Sequence, residues 1–296
     1  MLSLLLTFLT AAAAPAQTSS PAAQFLRSEA RAAAARSDWE RALELYRRAV
    51  ERSPRDVSLR LELAGLLKTA GRLPESISAY QTALQLDRRN QAGQIGLAEV
   101  YRKVFNYAEA RRLLEQSIRQ HPKSAAALLA LGELEIELQH HDEAIGALRR
   151  ALAIEPSNAT ACTLLGAAYQ AKGDAASAIE ALNAALALNP QSPLAYYLRA
   201  SARADRDEND QALADAQKVV KLEPANWRGR LLLGKLQVRM GQCSQAVATL
   251  ETLKNARPED SELFFVLARA YQCAGQRELA QQTRSEERRV GKECRL

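Results

Sequence analysis

Residues 159–192, ATACTLLGAAYQAKGDAASAIEALNAALALNPQS, decide the reading of this chain. The segment opens after Asn158, turns at Gly173, and closes on Asn189-Pro190-Gln191-Ser192. Proline cannot continue a helix, glycine tolerates the left-handed turn that ends one, and Asn or Ser caps the next. One 34-residue segment therefore encodes two helices and both of their punctuation marks.

The same pattern extends in both directions without insertion or deletion. Pro54, Pro122, Pro156, Pro190, Pro224 and Pro258 stand on one 34-residue grid, with Arg88 on the empty node. The units are 23–56, 57–90, 91–124, 125–158, 159–192, 193–226 and 227–260, and a further one starts at 261. Their last residues, Asp56, Asn90, Ser124, Asn158, Ser192, Asn226 and Asp260, all favour the helix N-cap. Position 15 is glycine at Gly71, Gly173, Gly241 and Gly275. Position 8 stays small, as at Gly132, Gly166 and Ala200, and so does position 20, as at Ala144 and Ala178. Positions 7 and 24 are large, as at Leu165 and Leu182. Small beside large lets paired helices approach closely.

The period and these positions resemble the tetratricopeptide repeat family. The resemblance covers residues 23 to about 283. It implies an all-α, right-handed superhelical solenoid of helix-turn-helix repeats: seven complete and a truncated eighth at 261–283. A solenoid of this kind counts as one array, since each unit touches only its neighbours. Two units depart from the pattern. Unit 6 has Arg199, Arg203 and Ala216 where large apolar residues belong, and unit 1 has Glu29 at position 7. These units are expected to fray.

The ends read differently. Met1 to Ala16 has no charged side chain and closes on Ala14-Pro15-Ala16. That resembles a secretory signal peptide, followed by a linker at 17–22. The chain is then expected to be bacterial and periplasmic or secreted, or cytoplasmic if the start is misassigned. No other segment is apolar enough to cross a membrane. Residues 284–296 back-translate to a strand resembling a sequencing adapter and are read as an artefact. They carry a net +2, so without them the chain's +6 becomes +4.

A search for chemistry finds none. His121, His140 and His141 fall at turns, and only Glu137 shares a helical face with His141. A metal needs three or four convergent ligands, so no metal or cofactor is expected. Gly229 to Lys235 imitates a phosphate loop, but Leu236 replaces its Ser or Thr and the segment is helical. No nucleophile, base and orienting group assemble, and the chain is read as no enzyme with no small-molecule substrate. Cys162 is read as a core residue. Cys243 and Cys273 stand where the start of one helix B meets the end of the next helix A, which an oxidising compartment would allow to bond.

The resemblance further implies that helix A positions 2, 5, 9 and 12 line a concave face. Position 5 places Leu61, Ile95, Leu129, Tyr197, Leu231 and Phe265 there, and position 9 places Glu99, Glu133 and Lys235. An apolar strip with a polar rim fits a protein or peptide partner, although several of these residues could equally pack against neighbouring helices. Glu99 and Glu133 oppose phosphate, so nucleic acid is not expected. The implied function is a non-catalytic scaffold or assembly adaptor. The alternative is the N-terminal module of a larger enzyme, or a subunit of an envelope complex.

Overall fold

The structure is a computed structural model that describes residues 19–293, so the leader read at 1–16 lies outside the described residues. Within them, every predicted cap forms. The side chains of Asp56, Asn90, Ser124, Asn158, Ser192, Asn226 and Asp260 each accept a hydrogen bond from the amide three residues on. These bonds satisfy one of the orphan amides that each helix start would otherwise leave.

Sixteen α-helices follow, with no strand among the described residues. They come in pairs: α1 Pro21–Ala35 and α2 Trp39–Arg52, α3 Val57–Thr69 and α4 Leu73–Leu86, α5 Gln91–Lys103 and α6 Tyr107–Gln120. Next are α7 Ala125–Glu137 and α8 His141–Ile154, α9 Ala159–Lys172 and α10 Ala175–Leu188, α11 Pro193–Asp205 and α12 Asn209–Leu222. Last come α13 Trp227–Arg239 and α14 Cys243–Lys254, then α15 Ser261–Cys273 and α16 Arg277–Glu293. The all-α helix-turn-helix solenoid expected from the sequence is therefore what forms.

Two compact units divide the chain, one up to residue 122 and one from residue 123. In each, a helix packs on its partner and on the neighbouring pair. The core of the second unit is built as the small-and-large pattern requires. Leu148, Leu182 and Leu250 are wholly buried, and a Cβ added at Gly132, Gly166 or Gly234 would come within 2.6, 2.5 or 2.4 Å of them. Only glycine admits these leucines as they stand.

All eight position-15 residues have positive φ. Beside the four glycines stand Ser37 and Phe105 at 60°, Gln139 at 60° and Asp207 at 59°. The backbone geometry of the turn is thus set by the repeat, and it holds even where the side chain opposes it.

One expectation changes. Repeat 6 does not lose its helices: α11 and α12 are regular, and a buried ion cluster replaces the missing apolar side chains. Asp215 at position 23 accepts two bonds from Arg199, at 2.8 and 2.7 Å, and one from Arg203 at 2.7 Å. At the other end, α16 continues through residue 284 to Glu293, with Thr283 and Val290 buried.

Candidate interaction groove

On α13, Lys235, Val238 and Arg239 lie three and four residues apart and so share one helical face. On α15, Glu262, Phe265, Val266 and Arg269 do the same. The two helices lie side by side, and these seven residues line a cavity of about 380 Å³. Beneath them, Leu231, Leu263 and Leu267 belong to one buried cluster with Leu250 of α14, which Val266 joins to the lining. The groove therefore rests on a rigid apolar base.

Its upper surface is apolar at the centre and cationic at the rim. Phe265 is 48% exposed. The Arg269 guanidinium lies 5.8 Å from its ring centre, a cation–π contact that leaves the charge facing solvent. Lys235 donates to Glu262 at 2.6 Å, which ties α13 to α15 and neutralises the only carboxylate in the lining. Arg239 donates to the Ala204 carbonyl at 2.7 Å and to Asn209 at 3.2 Å, and lies 3.8 Å from the Asp207 carboxylate. Of these cations only Arg269 has no carboxylate partner among the described residues, and it favours an acidic group in an occupant. Behind the groove, Cys243 at the start of α14 and Cys273 at the end of α15 form a disulfide, with Cα atoms 5.4 Å apart. It closes a separation of 30 residues and anchors the last helix pair to the one before.

Of the nine residues predicted for the interaction face, Lys235 and Phe265 line this cavity. Leu231 is a correction: it is 4% exposed and packs in the core, because position 5 on an inner helix is covered by its neighbour. Phe265 escapes that fate. Leu129 is half-buried and packs against the core of repeats 4 and 5. Leu61, Ile95, Glu133 and Tyr197 are also half-buried. Glu99 is bonded to Lys68 and is not an open charge. Val266 and Arg239, at positions 6 and 13, were not anticipated; they lie one residue beyond positions 5 and 12, on the edge of the same helical face.

The histidines are engaged in local contacts. His140 Nδ1 lies 2.9 Å from the buried Glu135 carboxylate, His121 bonds the Arg89 carbonyl, and no cluster of three ligands occurs among the described residues. Cys162 is buried, and burial pushes its thiol above the ordinary range.

Two family models, both described as tetratricopeptide repeat, match the chain, one at residues 27–92 and 95–159 and the other at 136–202 and 204–270. Among curated proteins, none matches. A tetratricopeptide repeat protein from Parabacteroides merdae is similar at 18% identity and TM-score 0.64, over 85% of this chain and 99% of that one. PilW, a widely conserved type IV pilus biogenesis factor, is 22% identical with TM-score 0.67, over 71% of this chain and 98% of its own. YrrB, described as having an unusual peptide-binding site, is 22% identical with TM-score 0.50, over 62% of this chain and 95% of its own. At such identities the likeness is one of fold.

Proposed function

The chain belongs to the tetratricopeptide repeat family, and from that premise we propose that it is a non-catalytic scaffold that captures an extended protein segment on its helix A face. The groove of repeats 7 and 8 is the point of capture. The observation that carries this reading is Phe265. It is 48% exposed and lines the cavity together with Val238 and Val266, and aromatic side chains beside Arg are typical anchors of binding sites. The partner segment places an apolar side chain on Phe265 and an acidic side chain near Arg269.

The protein works outside the cytoplasm in this reading. The Cys243–Cys273 disulfide supports it, since such bonds persist in oxidising compartments and are rare where thiols are kept reduced.

Site-specific photo-crosslinking tests the reading. A photoreactive side chain at 265 is expected to give a discrete adduct whose cross-linked peptide is acidic and apolar. The same group at exposed Ala184 on α10 is the control. Adduct patterns that do not differ between the two positions would remove the groove as the site.

A further inference from the structure

The chain's charge is not shared evenly. Residues 1–122 hold 18 Lys and Arg against 12 Asp and Glu, whereas residues 123–296 hold 22 of each. The whole +6 therefore belongs to the first three repeats. Such asymmetry between halves points to an acidic partner for the charged half.

Within that half, α4, α5 and α6 enclose a second cavity of about 340 Å³, on the helix B side. Its size lies in the range of pockets that hold ligands. Gln81, Gln85, Gln94 and Gln116 supply four amides, Arg88 and Arg112 supply two guanidinium groups, and no carboxylate takes part. Three leucines form the apolar part. Arg112 is bonded to Glu109 outside the lining, at 2.9 and 2.8 Å. Arg88 is exposed and has no ion-pair partner among the described residues.

The amides are set in place. Gln81 donates to the Tyr101 hydroxyl at 3.0 Å. Gln94 is only 1% exposed. It gives its amide nitrogen to the Arg88 carbonyl and to Gln120, both at 2.9 Å, and its Oε1 has no hydrogen-bond partner. A carboxamide both donates and accepts, as the alternating N–H and C=O groups of an extended chain require.

We propose that this cavity is a second binding site, separate from the groove of repeats 7 and 8, and that it takes an extended acidic peptide segment. Glutamine amides hold the segment's backbone, the leucines take an apolar side chain, and Arg88 pairs with a carboxylate. The site does not depend on the function proposed above for Phe265.

The test uses the full chain and fluorescein-labelled peptides followed by anisotropy. The acidic probe is Glu-Leu-Glu-Leu-Glu, acetylated and amidated, and the basic control is Lys-Leu-Lys-Leu-Lys. The acidic probe is expected to bind saturably and the basic one not. Arg88→Glu should weaken binding about tenfold or more, since it replaces attraction by like-charge repulsion. Gln85→Ala with Gln116→Ala should weaken it with no change of charge. Arg55→Glu makes the same charge change elsewhere in repeat 1 and should shift affinity by less than about twofold, as a screened distant charge would. Phe265→Ala removes the contribution of the groove of repeats 7 and 8, and in that background the Arg88-dependent binding should persist. Absence of saturable binding overturns the proposal. So does equal loss in Arg88→Glu and Arg55→Glu, which would mean a diffuse cationic field, or equal binding of the basic probe.

Discussion

Repeats 5 and 6 are adjacent, equally long, and filled by opposite means. In repeat 5, Leu165, Tyr169 and Leu182 occupy positions 7, 11 and 24, and Leu182 is wholly buried over Gly166. In repeat 6 the same positions hold Arg199, Arg203 and Ala216, and Asp215 gathers both guanidinium groups. Each arginine side chain is 15% exposed and Asp215 only 5%. Arg199 also donates to Asn183 and stacks on Tyr196. The comparison teaches that the backbone period is enforced by caps and turns, while the filling is negotiable. A buried ion cluster can replace a leucine and a tyrosine when its charges are paired, here even with Arg203 Nε buried and without a partner.

The largest expected effect breaks the second filling. Asp215→Ala leaves two arginines buried without their shared carboxylate and should cost about 3–5 kcal/mol in denaturant unfolding. Replacing the cluster as a whole should behave otherwise. Arg199→Leu with Arg203→Tyr and Asp215→Ala gives repeat 6 the residues of repeat 5 at these positions, and should be neutral or stabilising by up to about 4 kcal/mol. If the triple variant unfolds as readily as Asp215→Ala alone, the cluster is not a substitute for apolar filling and the comparison fails.

A smaller effect sharpens the first filling. Repeat 5 has glycine at position 8 and repeat 6 has alanine. A Cβ at Gly166 would sit 2.5 Å from Leu182 Cγ, whereas Ala200 faces Ala216 and is already accommodated. Gly166→Ala should therefore cost about 1–3 kcal/mol as overpacking, even though alanine is the better helix former. A gain in melting temperature would show that Leu182 has room to shift.

How much of this could be read in advance depends on how local its cause is. The seven caps were legible because a capping side chain acts three residues from where it stands. Left-handed turns were legible at the four glycines. At Ser37, Phe105 and Gln139 nothing in the side chain calls for positive φ, Asp207 merely tolerates it, and the register of the repeat reveals all four. The groove was half legible: Lys235 and Phe265 followed from helical position, while the burial of Leu231 depends on a neighbouring helix. The Asp215 cluster joins residues 12 and 16 apart. Its arginines looked like defects because position 23, where the other repeats carry an uncharged residue, was not weighed with positions 7 and 11. The helix B cavity has no signature of its own in sequence, since its glutamines are scattered over three helices.

The smallest effect is expected where polar filling meets solvent. In repeats 1 and 2, Glu62 accepts from Arg27 at 3.1 Å, from Arg31 at 2.6 Å and from the Tyr46 hydroxyl at 2.9 Å. Chemically this resembles the Asp215 cluster, but the Glu62 side chain is 25% exposed and that of Arg31 is 59% exposed. Burial raises the Glu62 pKa, yet the bonds from Arg27, Arg31 and Tyr46 outweigh it and hold the carboxyl at about 2. The Tyr46 phenol is pushed up to about 12, first by burial and then by its bond to Glu62. A carboxyl whose pKa is lower when folded contributes fully above its ordinary value of 4.5 and loses that contribution as pH falls towards 2. The raised phenol works the other way, its contribution fading as pH rises from 10 to about 12. Glu62→Gln should cost about 1 kcal/mol at pH 7, because water already screens part of the pairing. The same variant should lose little further stability between pH 5 and 3, where the parent loses the Glu62 term. Urea unfolding at both pH values measures this. Parallel acid limbs in parent and variant would place the acid sensitivity elsewhere, and exposure would then not be what separates this cluster from the one at Asp215.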